Sequence, residues 1–169
     1  MSAASIAYLS LGSNLGNRYQ HLLNALAELS NKVGTVKLIS ETYENPPSGF
    51  QAEQDFLNLC AEVYTQLEPR ELLNTLQQIE RELGRKKRAS EGYSSRPIDI
   101  DIILYGDLIL SENDLTIPHP RFKERMFVLK PLNDIVPKKI DPESNKTIEE
   151  LYNNCADQSL LRVYNPSGF

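Results

Sequence analysis

Apolar and polar residues alternate in several short stretches of this chain, and two longer stretches carry apolar residues at helical spacing. Alternation places every second side chain on one face of a strand, whereas a spacing of three or four residues builds one face of a helix. The two helical stripes consist of Tyr19, Leu22, Leu23, Leu26 and Leu29, and of Leu72, Leu73, Leu76, Ile79 and Leu83. The predicted order is strand 5–11, helix 19–29, strand 36–43, strand 55–65, helix 69–83 and strand 96–105.

This β-α-β-β-α-β order predicts an α+β fold of the ferredoxin-like type, a mostly antiparallel sheet with both helices packed on one face. A tight turn after Tyr105 predicts an extra hairpin, and helical pieces are expected in the C-terminal part, from Met126 on. The opposite face of the sheet is expected to stay free for a ligand. Because the chain has 169 residues and no compositional break, a single domain spanning 1–169 is expected.

The predicted strand 96–105 reads RPIDIDIILY, in which Asp99 and Asp101 interrupt an aliphatic run. Residues two apart on a strand share a face, so the two carboxylates lie side by side and repel each other unless a cation sits between them. Mg²⁺ is typically held by one or two carboxylates together with substrate phosphates, and Arg96 suits a phosphate. The pattern therefore predicts a metal–phosphate site, although a strand with one solvated face has the same alternation.

The composition of the chain indicates which kinds of partner it does not bind and in which cellular compartment it lies. The formal charge of −5 argues against a nucleic-acid-binding protein, which would present a basic face. No apolar run approaches the roughly 20 residues that span a bilayer, and the first residues lack the pattern of a signal peptide. Cys60 and Cys155 are far apart and form no CxxC motif, so neither a disulfide framework nor a zinc site is predicted. A cytoplasmic protein without a membrane partner is expected.

Basic residues flank the two aspartates on both sides. They are Arg85, Lys87, Arg88 and Arg96 before the pair, and His119, Arg121 and Arg125 after it. The Walker pattern GxxxxGK[ST] is missing from the sequence. The pattern thus predicts phosphate chemistry without a P-loop, while a solvated basic loop is the plainer interpretation of the run at 85–88.

Four segments in order carry a family resemblance: AYLSLGSNLGNR, ENPPSGFQAEQDFLN, RPIDIDIILYGD and LTIPHPRFKERMFVLKPL. Together they resemble 6-hydroxymethyl-7,8-dihydropterin pyrophosphokinase, the folate-biosynthesis family that moves pyrophosphate from ATP to a pterin alcohol and releases AMP. The resemblance runs from about residue 6 to about residue 137. It implies the same α+β fold, two Mg²⁺ ions, ATP and a pterin alcohol as substrates, and a monomer.

The resemblance also implies roles for individual residues. The catalytic set is Arg85, Arg96, Asp99 and Asp101, and the two aspartates would hold the Mg²⁺ ions. Pterin binding is implied for Asn45, Pro46, Pro47, Phe56, Asn58 and Phe127, with the two phenylalanines stacking on the ring and the backbone around 45–47 adding hydrogen bonds. ATP binding is implied for Gln77, Glu80, Arg85, Arg96, Ile102, Thr116, His119 and Arg125.

The chain departs from the family pattern at three places. Before Arg96 the family usually has an aromatic residue, glycine and proline, whereas this chain has Tyr93, Ser94 and Ser95. Asp114 stands where a basic residue is sometimes found near the nucleotide, and Ser48 replaces a bulkier apolar residue beside the pterin. These changes are expected to affect loop closure and affinity more than the reaction.

Two other functions fit parts of the same pattern. The Asp-x-Asp pair is also compatible with a different Mg²⁺-dependent phosphohydrolase or a nucleotidyltransferase. A ferredoxin-like fold also occurs in binding modules without catalysis. The nucleotide product separates the first alternative, because only pyrophosphate transfer to the pterin releases AMP together with a pterin diphosphate.

Overall fold

The computed structural model describes residues 3–45, 54–85 and 96–166. Its strands are β1 (Ser5–Ser13), β2 (Gly34–Ile39), β3 (Tyr43–Asn45), β4 (Phe56–Thr65), β5 (Asp99–Tyr105), β6 (Leu110–Glu112), β7 (Leu115–Ile117) and β8 (Arg162–Val163). Its α-helices are α1 (Arg18–Lys32), α2 (Pro69–Glu82), α3 (Met126–Ile135) and α4 (Ile148–Asn153), and a 3₁₀ turn covers Phe122–Glu124.

A six-stranded antiparallel sheet forms the centre of the molecule, with the strand order β5-β1-β4-β3-β8 and β2 also paired with β4. Strands β6 and β7 form the predicted extra hairpin. The order β5-β1-β4-β2, with α1 and α2 in the connections, is that of the ferredoxin-like fold, so the predicted α+β class is confirmed.

The predicted strand 36–43 is wrong in its extent, because two short strands occupy this region. Strand β2 ends at Ile39 and β3 begins at Tyr43, although both pair with β4. Between them, Ser40 bonds to β4 through its backbone N–H, which donates to Cys60 O at 2.9 Å, and through its hydroxyl, which accepts from Cys60 N at 2.9 Å. A side chain thus replaces one backbone partner and interrupts the regular ladder.

Helices α1 and α2 pack on one face of the sheet, as the two apolar stripes predict. Leu22, Ala25 and Leu29 from α1 meet Leu72, Leu76 and Ile79 from α2 above the alternating apolar residues of β1, β4 and β5. The Asn17 side chain caps α1 by accepting from Gln20 N, and Pro69 occupies the first turn of α2. This first core fixes which faces of β1, β4 and β5 point away from the helices.

The expectation that the opposite face stays free is wrong for about half of that face. Helices α3 and α4 cover it and bury a second apolar cluster that includes Tyr8, Cys60 and Phe122. A bulge in β5 explains how this strand serves both cores, because Tyr8 pairs with Leu104 while Leu9 pairs with Ile102. Ile103, the extra residue, therefore joins Leu104 in the second cluster.

The uncovered half of this face lies between the first turn of α3 and the beginning of strands β4 and β5. After α4 the chain returns there, and β8 pairs with β3 at the edge of the sheet. Among the described residues, no helix is long and apolar enough to cross a membrane.

Candidate active site

A cavity of about 370 Å³ occupies the uncovered half of the sheet face. Its lining combines aromatic rings, amides, carboxylates and guanidinium groups. These are Ser10, Gly12, Asn45, Phe56, Asn58, Arg96, Asp99, Asp101, Arg121, Glu124, Arg125, Phe127, Asp157 and Ser159. Most of the predicted pterin-binding and catalytic residues thus meet in one place, whereas Pro46 and Pro47 lie outside the described residues.

Asp99 and Asp101 stand side by side on β5, as alternation predicts. Both are partly buried and line the cavity, while Ile100 between them points into the first core. Their partners on β1 are Gly12 and Ser10. The strand therefore presents two carboxylates to the cavity over a neighbouring strand that carries only small side chains there.

Two arginines contact Asp99, one from just after α2 and one from just before β5. Arg85 Nη1 lies 2.7 Å from Asp99 Oδ1, and Arg96 Nη1 lies 3.3 Å from Asp99 Oδ2. Arg85 also donates to Glu80 Oε2 at 2.8 Å. Burial lowers the pKa of the Arg85 guanidinium, but the charges of Asp99 and Glu80 outweigh this and hold the pKa above its ordinary value. Both predicted catalytic arginines are thus held beside Asp99.

Arg96 is held in place by the turn that follows β1. Asn14 Oδ1 accepts from Arg96 N at 2.7 Å, and Asn14 N donates to Arg96 O at 3.1 Å. Asparagine in a turn suggests a helix cap, and Asn17 is the residue that caps α1. Sequence reasoning missed the role of Asn14, because its partner lies 82 residues away.

The aromatic end of the cavity contains two amide side chains beside Phe56 and Phe127. Asn58 Nδ2 donates to Asn45 Oδ1, and both residues are buried. The resemblance implied hydrogen bonds from the backbone around Asn45, whereas the structure also places the Asn45 side chain near Asn58. These amides and rings offer flat faces and polar edges to a planar heterocycle.

Gly12 leaves the space that this amide pair occupies. A Cβ atom added at Gly12 would lie 2.8 Å from Asn58 Oδ1 and 3.7 Å from a ring carbon of Phe56. A side chain at this position would therefore displace the amide that faces the cavity. The sequence GSNLGN indicates a turn after the first strand, and this close approach at Gly12 could not be predicted from it.

A second cavity, of about 430 Å³, contains five of the eight residues predicted to bind the nucleotide. Of the other three, Arg96 and Arg125 line the first cavity and Arg85 contacts Asp99. The second cavity lies between α2, β5 and the β6–β7 hairpin. Its lining includes Gln77, Glu80, Ile102, Thr116 and His119, together with Asp101, Asp114 and Leu115. Asp101 lines both cavities, so its carboxylate borders the first cavity, which contains Phe56 and Phe127 and is called the aromatic cavity, as well as the second.

Asp114, one of the departures from the family pattern, is paired in this structure. Its Oδ1 lies 2.6 Å from Arg70 Nη1, and Arg70 also contacts Glu112 at 2.8 Å. Asp114, which lines the second cavity, thus forms an ion pair with an arginine of α2.

His119 is partly buried, lines the second cavity and lies near the basic residues Arg121 and Arg125. Its Nδ1 accepts from Arg121 N at 3.1 Å, so the neutral ring carries its proton on Nε2. Burial lowers the pKa of this imidazole, the charges of Arg125 and Arg121 lower it further, and Asp99 raises it only in part, which gives a value of about 4. A neutral N–H donor fits a phosphate contact better than a base.

We expect His119 to titrate with a pKa of about 4 in the ligand-free chain, well below the ordinary 6.5. Because the folded pKa is the lower one, unfolding takes up a proton between these values, and stability falls as the pH drops from 6.5 towards 4. Proton NMR of the ring measures the pKa, and a His119→Asn variant identifies the resonance. The same variant should lose less stability over that pH range, and a pKa near 6.5 in the native chain would contradict the expectation.

Several lining residues were not predicted from the sequence. Arg121 was noted as basic but given no role, and it lines the aromatic cavity with Arg125. The Arg125 guanidinium carbon lies 5.5 Å from the centre of the Phe127 ring. Asp157 and Ser159 come from a C-terminal segment without a recognisable motif, so only the return of the chain after α4 brings them here.

Asp99 and Asp101 offer two carboxylates to a magnesium ion, which needs further ligands from elsewhere. The part of the chain that the structure describes contains no cluster of three or more His, Cys, Asp or Glu side chains able to hold a metal ion. Two adjacent carboxylates suffice for Mg²⁺ when phosphate oxygens and water supply the other ligands. The donor set thus fits a metal that arrives with a polyphosphate.

Comparison with known proteins shows similarity to the family that the four sequence segments resemble. A family model described as 7,8-dihydro-6-hydroxymethylpterin-pyrophosphokinase (HPPK) matches residues 8–137. A 2-amino-4-hydroxy-6-hydroxymethyldihydropteridine pyrophosphokinase of Porphyromonas gingivalis is 43% identical over 135 residues, covering 79% of this chain and 92% of that protein. The folic acid synthesis protein fol1 of Pneumocystis carinii is 42% identical over 156 residues, covering 92% of this chain.

Some of these relatives are longer proteins. This chain spans 21% of the Pneumocystis protein. A crystal structure of an HPPK-DHPS chain in complex with substrates aligns with a TM-score of 0.72 at 17% identity, covering 90% of this chain and 43% of that chain. That likeness supports the fold, and the family model extends over more than half of the sequence. The chain therefore belongs to the 7,8-dihydro-6-hydroxymethylpterin-pyrophosphokinase family.

Proposed function

We propose that this chain transfers the pyrophosphoryl group of ATP to the hydroxymethyl oxygen of 6-hydroxymethyl-7,8-dihydropterin and releases AMP, a step of folate biosynthesis. The observation that carries the proposal is the position of Asp101, which lines both the aromatic cavity and the second cavity. A pterin in the first cavity and a nucleotide in the second would meet at this carboxylate. Family membership supports the same reaction.

The aromatic cavity binds and orients the acceptor. Phe56 and Phe127 supply ring surfaces for the pterin, and the Asn45–Asn58 amide pair reads its polar edge. Binding both substrates in one geometry converts a bimolecular reaction into an effectively unimolecular one. The fixed amide pair therefore contributes to rate by orienting the hydroxymethyl group toward the second cavity.

The phosphate region is built from Arg85, Arg96, Arg125 and the Nε2–H of His119. Charge develops on the transferred group and on AMP during the reaction, and preorganised cations stabilise that charge. Asp99 and Asp101 would hold Mg²⁺, two ions in our proposal, which neutralise phosphate charge when bound with ATP. Since Arg85 and Arg96 already contact Asp99, the cationic groups are in place before the nucleotide arrives.

The reaction is an in-line displacement at the β-phosphorus. The hydroxymethyl oxygen forms a bond to this phosphorus, the bond between the β-phosphorus and the oxygen bridging to the α-phosphorus breaks, and AMP leaves. The hydroxyl proton is lost to solvent, so no residue of the described chain is required as a strong base. The neutral His119 is assigned to a phosphate oxygen and not to this proton.

The test is an assay with ATP, Mg²⁺ and 6-hydroxymethyl-7,8-dihydropterin in which the nucleotide product is identified. We expect AMP and a pterin diphosphate in equal amounts, and labelled γ-phosphate of ATP should appear in the pterin product. Omitting the pterin is the control for hydrolysis and should abolish AMP formation. ADP or free phosphate as the main product would indicate a phosphohydrolase and overturn the proposal, as would substrate binding without turnover.

A further inference from the structure

The C-terminal segment contributes a wall of the aromatic cavity from outside the part of the chain that the family model matches. That match ends at residue 137, whereas Asp157 and Ser159 line the cavity together with Arg125 and Phe127. The segment is anchored at its end by β8, which pairs with β3. Its position is therefore defined by the fold.

Asp157 contacts the first turn of α3. Its Oδ2 accepts from Met126 N at 2.9 Å, across 31 residues of sequence. Among the described residues of this helix, the first turn holds no acid, and the side chain of the N-cap residue Arg125 makes no capping hydrogen bond. A carboxylate near a helix N-terminus satisfies exposed N–H groups and interacts favourably with the helix dipole. Asp157, although distant in sequence, thus provides the negatively charged acceptor that the residues at the start of α3 do not provide.

The carboxylate of Asp157 is itself held in one orientation. Its Oδ1 accepts from Ser159 N at 2.9 Å and from the Ser159 hydroxyl. Burial raises the pKa of this carboxyl, but the hydrogen bonds from Ser159 and Met126 outweigh it and keep the pKa below its ordinary value. Asp157 therefore contacts the helix as a charged group with little rotational freedom.

The same first turn of α3 carries two groups of the proposed site. Arg125 precedes Met126 and Phe127 follows it, and the guanidinium of Arg125 lies over the Phe127 ring. A rotation or fraying of this turn would move the stacking face and the phosphate contact together. Holding Met126 N in place fixes both.

We propose that Asp157 is a positioning residue that sets the α3 wall of the aromatic cavity and thereby the affinity for the pterin. The inference rests on the proposed function, because it assigns the Phe127 ring to pterin stacking. It adds to that function a residue from the segment beyond the matched region, acting through Met126 and not by contact with the reacting atoms.

The test compares Asp157→Ala with the conservative Asp157→Asn, which keeps an acceptor but removes the charge. We expect the KM for the pterin to rise about tenfold in the alanine variant, because a displaced Phe127 ring weakens binding in the ground and transition states alike. The value of kcat should fall by a smaller factor, because Arg125 moves with the same turn. The asparagine variant should recover about half of this effect on a logarithmic scale. Amide hydrogen exchange at Met126 should become faster in the alanine variant.

Asp141 provides a matched control in the same C-terminal part of the chain. It is buried and accepts from the Ser144 hydroxyl and from Glu143 N, but it does not line the cavity. Asp141→Asn should lower the thermal midpoint and leave the pterin KM within twofold of the native value. If Asp157→Ala fails to fold, Ser159→Ala removes the anchoring hydroxyl and should raise the pterin KM in the same direction.

The outcomes separate this inference from the proposed function. A pterin KM equal to that of the native chain in folded Asp157→Ala overturns the inference while leaving the function intact. If the native chain releases no AMP, the proposed function fails, and the assignment of pterin affinity to Asp157 fails with it. Met126 exchange then still reports whether the carboxylate holds the turn, and unchanged exchange would overturn that contact as well.

Discussion

Replacing Asp101 with asparagine is expected to reduce the rate of AMP release by about 100- to 1000-fold, equivalent to about 3–4 kcal/mol of activation free energy. Asparagine has nearly the same size and keeps one oxygen, so the packing of β5 should change little. It removes the charge of the carboxylate that lines both cavities. Magnesium-bound phosphates should consequently bind less tightly, and a higher Mg²⁺ concentration should be needed for half-maximal rate.

Asp101 is chosen over Asp99 because it lines both cavities. Asp99 contacts both Arg85 and Arg96, so its replacement also disturbs two guanidinium groups. The measurement is the initial rate of AMP formation at saturating pterin and varied Mg²⁺, with the thermal midpoint recorded for each variant. Binding of the pterin alone should stay close to that of the native chain, since the stacking rings and the amide pair are unchanged.

Asp107→Asn is the matched control for this substitution. Asp107 lies on the turn just after β5, its side chain is 84% exposed, and it pairs with Lys139 at 2.8 Å. The same chemical change at that position should leave AMP release within twofold of the native rate. Equal rates for native chain and Asp101→Asn would show that the carboxylate does not act on the phosphates and would remove the central residue of the proposed site.

The sheet and the paired carboxylates could be predicted because they follow from the order of neighbouring residues along single strands. A period of two places Asp99 and Asp101 on one face and Ile100 on the other, and the same rule orients Phe56 and Asn58 on β4. The structure confirms this placement, with all four side chains lining one cavity. The family motifs then implied roles that alternation alone does not give.

The covering of the second sheet face was not predictable from the same rules. Alternation marks Cys60 and Asn58 as members of one face, yet Cys60 is buried beneath α3 while Asn58 lines the cavity. The difference depends on where α3 lies over the sheet, which is a tertiary property. The bulge at Ile103 likewise shifts one residue from the core of α1 and α2 to the core of α3 and α4.

Contacts between distant segments were also beyond sequence reasoning. The Asn14 side chain, just after β1, accepts a hydrogen bond from Arg96 N, just before β5. The Asp157 side chain, which follows α4 in the chain, accepts one from Met126 N at the start of α3. Each of these polar residues has an ordinary local interpretation as a turn or cap residue. Only the folded chain shows that their hydrogen bonds support the predicted site.

Glu80 lies beside other residues that were implied to bind ATP, and it also makes contacts that the sequence did not predict. The resemblance implied ATP binding, and Glu80 does line the second cavity. Its Oε2, however, accepts from Ile100 N at 2.8 Å and from Arg85 Nη1 at 2.8 Å. Strand β5 is an edge strand, so Ile100 N points away from β1 and is satisfied by this carboxylate. We therefore infer that Glu80 positions β5 and Arg85.

Replacing Glu80 with leucine is expected to lower the free energy of unfolding by about 3–5 kcal/mol. The side chains of Glu80 and Arg85 are only 6% and 8% exposed, so removal of the acid leaves a buried guanidinium with one carboxylate fewer and a backbone N–H without its acceptor. This is a large part of the stability of an ordinary domain. Urea unfolding measures the change, and Glu82→Leu, at an exposed position of the same helix, should leave the midpoint nearly unchanged.

A double variant separates the stability of this pair from its function. Glu80→Leu combined with Arg85→Met removes both charges, so much of the lost stability should return, because an apolar pair of similar size avoids the buried unpaired charge. Release of AMP should stay reduced by about 100-fold or more, since Arg85 no longer stabilises phosphate charge. Recovery of the rate together with the stability would show that Arg85 serves the fold alone and has no part in phosphate binding.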